Sequence, residues 1–160
     1  VRRHFESQLD GLSSLLHVLD YQPLDKILET RSKDDSKVPS VYWWRKLRIR
    51  SVFLFRTLCS ESEYSTNFFF EKQAIKQLTN QLSYCQDLEI REHLLNAIKA
   101  FITSLNVTKR VESLSLVPNL KEIVTSILNE HQDSAGDEYD LTDTRITCKE
   151  LLDLINSKSY

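Results

Sequence analysis

Catalysis and metal binding need nucleophiles, acids, bases or ligands at set spacings, and this chain places few of them together. His4, His17, His93 and His131 are scattered. Glu92-His93 lacks the second histidine four residues on that a helical zinc site requires. Cys59, Cys85 and Cys148 are far apart, odd in number, and match no zinc or redox spacing. Each lies in or beside an apolar helical pattern and reads as an ordinary buried thiol, while a disulfide between two of them stays open. Two isolated glycines cannot build a phosphate-cradling loop, and no nucleophile elbow is present. Ser13, Ser14 and Ser60 sit in helical or capping contexts. The expectation is therefore a non-enzyme without metal or cofactor.

Recognition is the other chemistry on offer. Tyr42, Trp43 and Trp44 lead into a helix carrying Arg45, Lys46, Arg48, Arg50 and Arg56, and Phe68, Phe69 and Phe70 open another. Aromatics interleaved with arginine can stack nucleic-acid bases. The competing reading puts Trp44 and two of the three phenylalanines in the packing between helices. Trp43 then faces solvent, because neighbours on a helix point about 100° apart. A net charge of −2 gives no reason to expect nucleic acid as the main partner. The basic residues are then a solvated face or a patch for an acidic partner. Asn106-Val107-Thr108 is an acceptor pattern for N-glycosylation, just past a helix end.

The elements that carry these residues are helices. The chain has 160 residues, 41% hydrophobic and 28% charged, with only two glycines and three prolines. That composition suits one helical domain with a real core, spanning residues 1–160. No apolar run reaches membrane-spanning length. Val1 in place of a starting methionine, with no methionine anywhere, reads as an excised fragment of a longer chain. Leu9, Leu12, Leu16 and Leu19 mark a first helix. Pro23 fits the first turn of a short second one with Leu24, Ile27 and Leu28. Residues 31–40 read as a polar loop.

Residues 41–59 form a long helix with Trp44, Leu47, Ser51, Leu54 and Leu58 on one face, widened by Val52 and Phe55. Ser60 to Glu63 offers a capping box. Residues 65–84 follow as one helix bent near Phe70. Asp87 caps the clearest helix, 87–105, whose stripe is Ile90, Leu94, Ala97, Ile98 and Phe101. Residues 106–117 are a connection or a frayed continuation. Pro118 starts a helix with Leu120, Ile123, Val124, Ile127 and Leu128; residues 132–140 are an acidic loop, and residues 142–157 a closing helix.

Residues 68–102 thus form a helix pair that cannot bury its apolar faces alone and must stack on neighbours. Ile49-Arg50, Phe53, Leu54 and Thr57 line up with Ile90-Arg91, Leu94, Leu95 and Ile98 at an offset of roughly 40 residues, the length of an armadillo or HEAT unit. The fold expected is all-α, an armadillo/HEAT-like solenoid, with a non-repeat helical bundle as the alternative. A charged residue at the matching Arg50 and Arg91 positions would brace adjacent repeats. Glu92, Asn96, Lys99 and Thr103 lie opposite the apolar stripe, where such helices line a concave groove. With Arg45 and Arg48 they are the candidate partner contacts, set against plain solvated helix faces.

Read in order, the segments resemble the armadillo-type nucleotide exchange factors of 70-kDa heat-shock chaperones. His4-Phe5-Glu6 with Asp10-Gly11-Leu12-Ser13-Ser14-Leu15-Leu16 is similar to that family's "Phe … Gly-Gly-Leu … Leu" helix, with Asp10 in place of one glycine. Arg48-Ile49-Arg50-Ser51-Val52-Phe53-Leu54 resembles the helix that follows, and Arg91-Glu92-His93-Leu94-Leu95-Asn96-Ala97-Ile98 a later one. Asp137-Glu138-Tyr139 and Glu150-Leu151-Leu152-Asp153-Leu154-Ile155-Asn156 resemble the C-terminal end of the family's endoplasmic-reticulum branch.

The resemblance implies a monomeric protein that clamps one lobe of a BiP-class chaperone ATPase domain and promotes ADP release. Such a protein needs contacts and shape rather than a catalytic residue. It places the chain in the endoplasmic reticulum lumen, where Asn106 would carry sugar; the cytoplasm is the alternative, since the chain does not end in a retention signal. The other readings are a generic armadillo or HEAT scaffold for a peptide or helix, and a nucleic-acid binder.

Overall fold

The computed structural model describes residues 9–19, 38–132 and 141–157. These form eight helices and no strand among the described residues. We number them α1 (Leu9–Leu19), α2 (Val38–Glu61), α3 (Glu63–Glu71), α4 (Ala74–Tyr84), α5 (Leu88–Ser104), α6 (Val107–Ser115), α7 (Leu120–Gln132) and α8 (Thr142–Asn156). The expected Pro23 helix and the acidic loop from 133 to 140 lie outside the described residues.

Side-chain oxygens fix where several helices begin. Asp87 Oδ1 accepts from the amides of Glu89 and Ile90 at 3.0 and 3.1 Å, starting α5 as expected. The cap of α3 is Ser62, whose Oγ accepts from Ser65 N at 3.1 Å, rather than Ser60. Asn106 Oδ1 accepts from Lys109 N at 2.8 Å, so residues 107–115 are a helix in their own right. Residues 65–84 are not one bent helix. Gln73 takes a left-handed conformation, φ 56°, and divides α3 from α4.

Helix α5 is the hub. It packs on α2, α3, α4, α6 and α8. The packing repeats along the chain: α1 rests on α2, α4 on α5 and α7 on α8, while α2 also lies on α5, α5 on α8, α1 on α4 and α4 on α7. Helices α3 and α6 are tied by Lys109, whose Nζ donates to Asn67 Oδ1 at 2.8 Å and sits over the Phe70 ring. At the centre, the Phe55 ring lies 4.4 Å from Phe69 and 6.0 Å from Phe101.

The buried faces of α2, α5 and α8 superimpose in sequence. Arg48, Ser51, Val52, Phe55, Leu58 and Cys59 match Arg91, Leu94, Leu95, Ile98, Phe101 and Ile102, an offset of 43 residues from Arg48 to Arg91. A further 53 residues, from Arg91 to Thr144, bring in Thr144, Thr147, Cys148 and Leu151, with Leu154 and Ile155 partly buried. The pairing of Arg50 with Arg91 read from the sequence is therefore displaced by two residues: Arg50 is exposed and Arg91 buried. The arginines that brace the packing are Arg48, which donates to Gln81 of α4, and Arg91, which donates to Cys85 O at 2.9 Å and pairs with Glu130 of α7 at 3.5 Å.

The α2 face also differs from expectation. Ser51, Val52, Phe55 and Leu58 are buried as expected, but Trp44, Leu47 and Leu54 stay exposed, because the inward face is centred on Val52 and Phe55 and takes in Arg48. Trp43 is exposed as expected, and so is Trp44. Phe69 is fully buried, with Phe68 and Phe70 packed partly against the core.

Candidate functional site

Helices α2, α5 and α8 run side by side in the same direction. At one end of the α2–α5 seam Arg45 meets Asp87 and Glu89. At the other, Ser104 Oγ donates to Cys59 O at 2.7 Å. Between α5 and α8, Thr147 Oγ1 donates to Asn96 Oδ1 at 3.1 Å, and Lys99 pairs with Glu150. Three parallel helices in one register present three parallel lines of side chains.

On α5 the outer line is Glu92, Asn96, Lys99 and Thr103, spaced four, three and four apart, which keeps them on one face. The structure brings these four together. Asn96 and Lys99 are half-buried and engaged with α8; Glu92 is half-buried, and Thr103 is exposed with its hydroxyl donating to Lys99 O at 2.8 Å. The matching line on α2 is Ile49, Phe53, Arg56 and Ser60, and on α8 Arg145, Lys149, Leu152 and Asn156. Phe53, Arg56 and Lys149 are exposed. These were not among the sequence candidates. The sequence aligns Phe53 with Leu94 rather than Asn96, and the α8 register becomes visible only through the buried run Thr144, Thr147, Cys148, Leu151. The three lines are mixed, with Arg56, Lys99, Arg145 and Lys149 as cations and Phe53 as an exposed aromatic ring.

Arg45 and Arg48 do not join this surface. Arg48 is buried against Gln81. Arg45 Nε donates to Asp87 Oδ2 at 2.7 Å and its Nη2 to Glu89 Oε2 at 2.6 Å, so it holds α2 to the start of α5. Burial opposes the charge on Asp87, but hydrogen bonds from Arg45 and from the Ile90 and Glu89 amides outweigh it and hold the carboxyl below its usual pKa. The hydrogen bonds that Arg45 donates to the Asp87 and Glu89 carboxylates push its guanidinium further up.

A carboxyl with a depressed folded-state pKa adds stability that is full above its unfolded pKa. That stability is lost as the pH falls through the folded value. Asp87→Asn is therefore expected to flatten the acid limb of the stability curve below about pH 4. Asp87→Ala, which also removes the cap, should cost about 1–2 kcal/mol at neutral pH. Urea denaturation at several pH values checks both. An unchanged acid limb in Asp87→Asn would remove Asp87 from the account.

Cys59, Cys85 and Cys148 are buried with no disulfide among them, and burial pushes the Cys59 thiol up to about 12 and Cys148 to about 11. A mainly polar cleft of about 430 Å³ lies where the α2–α3 joint faces the α5–α6 joint, lined by residues such as Glu61, Asn67, Ser104 and Asn106. Asn106, Val107 and Thr108 are exposed there. Among the described residues no helix is long and apolar enough to cross a membrane. No protein-family model matches this chain, and no curated protein or solved structure matches it.

Proposed function

We propose that the chain is an armadillo-type helical solenoid that works without catalysis, by binding another protein along α2, α5 and α8. The observation that carries this reading is the common register of those three helices, with buried faces repeating from Arg48 to Arg91 to Thr144 and polar faces aligned beside them. Stacked repeats of this kind build extended binding surfaces.

The partner proposed is the ATPase domain of a 70-kDa heat-shock chaperone, with promotion of ADP release as the outcome. What supports it is the resemblance of the segments around Gly11, Ile49, Leu94 and Leu151 to exchange factors of that class. The exposed Asn106 sequon is compatible with the endoplasmic reticulum lumen as the compartment. A peptide-binding scaffold would favour an asparagine ladder, but the positions matching Asn96 are Phe53 and Lys149, which favours the chaperone reading over it.

The binding surface is tested with a fluorescently labelled ATPase domain, titrated with the chain and followed by anisotropy. Saturable binding is expected. The double substitution Phe53→Ser with Arg56→Glu, at two exposed positions, should weaken it about tenfold or more, as loss of an aromatic anchor and its neighbouring cation does. Binding equal in the variant and the unchanged chain would reject this surface.

A further inference from the structure

One face of α2 is apolar and open, and the repeat register says what kind of element belongs on it. Leu47 and Leu54 are 43% and 37% exposed. Their register partners on α5, Ile90 and Ala97, are 1% and 0% exposed. That α5 face is the one turned towards α2, which packs along the full length of the seam. On α2 the equivalent line continues as Trp43, Leu47, Arg50 and Leu54, at spacings of four, three and four. This is the stripe that receives a packed helix. Trp43 is 62% exposed, and such a run of open apolar side chains marks an interaction site.

Charge identifies the occupant. Arg50 lies within the stripe and Lys46 beside it, and Lys46 Nζ lies 4.6 Å from the centre of the Tyr42 ring and 5.8 Å from that of Trp43. Between Val38 and Ser60 the helix contains no carboxylate at all. The seam that is already filled uses the same chemistry, with Arg45 of α2 gripping Asp87 and Glu89 of α5.

We propose that this face of α2 is a docking seam for an acidic amphipathic helix. That helix inserts apolar side chains between Trp43, Leu47 and Leu54 and sets carboxylates against Lys46 and Arg50. It lies along α2 as α2 lies along α5. The inference rests on the stacked-repeat reading and is independent of the chaperone.

The probe is a pair of synthetic helical peptides of about 20 residues, above the length at which isolated helices are marginal. Both carry leucine at i, i+4, i+7 and i+11; one flanks the leucines with glutamate, the other with lysine. The glutamate peptide should shift the tryptophan emission of the intact chain to shorter wavelength, saturably, and the lysine peptide should not. Leu47→Ser with Leu54→Ser should weaken the glutamate peptide by more than about tenfold. Lys46→Glu with Arg50→Glu should reverse the preference. These positions are open to solvent or half-open, and circular dichroism verifies that the variants keep their helices. No shift with either peptide, equal shifts with both, or variants that bind like the unchanged chain would overturn the proposal. Loss of peptide binding alone removes the seam; loss of ATPase-domain binding alone removes the chaperone reading.

Discussion

Phe101→Ala is expected to lower the stability of the folded chain by about 3–5 kcal/mol, the largest effect of any single truncation proposed for it. Phe101 is wholly buried on α5, the helix on which α2, α3, α4, α6 and α8 all pack. Its ring lies against Phe55, which in turn lies against Phe69, so it is one end of an aromatic chain that joins α5, α2 and α3. Removing it leaves a cavity beside Phe55 in close-packed surroundings that can relax only partly. Phe53→Ala is the internal comparison. Phe53 is two residues from Phe55 on the same helix but points to solvent, and its truncation should change stability by no more than about 0.5 kcal/mol. Urea unfolding followed by circular dichroism measures both. Equal losses for the two variants would show that the inward face of α2 is not the one centred on Phe55.

That pair of residues also shows where the sequence was legible and where it was not. The helices themselves followed from periodicity and capping: Asp87 before the Ile90–Phe101 stripe fixed α5, and Leu12, Leu16 and Leu19 fixed α1. The rotation of α2 followed only in part: Ser51, Val52, Phe55 and Leu58 face inward as expected, whereas Trp44, Leu47 and Leu54 do not. Both sides of that helix are apolar, with Leu47 and Leu54 on one and Val52 and Phe55 on the other. Burial of Arg48 through its bond to Gln81, a residue 33 positions away, decides between them. A contact so distant has no local signature.

For the same reason the sequence paired Arg50 rather than Arg48 with Arg91. An Ile-Arg dipeptide occurs at 49–50 and at 90–91, while only tertiary packing distinguishes the inward arginine. The break at Gln73 was equally hidden, since a left-handed residue there is expected to be glycine or asparagine.

The candidate site divides along the same line. Glu92, Asn96, Lys99 and Thr103 share a face because helical spacing alone requires it. That Asn96 and Lys99 reach Thr147 and Glu150 depends on α8 lying alongside α5, more than forty positions on. Arg45 looked available because its partners, Asp87 and Glu89, are equally remote in sequence. The sequence aligns Phe53 with Leu94 and reads Arg56 with the basic face, and the register of three helices sets them beside the α5 line.

Release of nucleotide is the second large effect. A protein that prefers the open, nucleotide-free arrangement of a two-lobed ATPase domain shifts that domain towards it by its differential affinity, and in no other way. A tenfold preference corresponds to about 1.4 kcal/mol, which a few contacts through Phe53, Arg56 and the α5 line can supply. The decisive measurement is therefore the rate at which a fluorescent ADP leaves a preloaded 70-kDa heat-shock chaperone, with and without saturating amounts of the chain. Acceleration of about tenfold, abolished by Phe53→Ser with Arg56→Glu, is the predicted result. A release rate that stays the same at saturation would contradict the account.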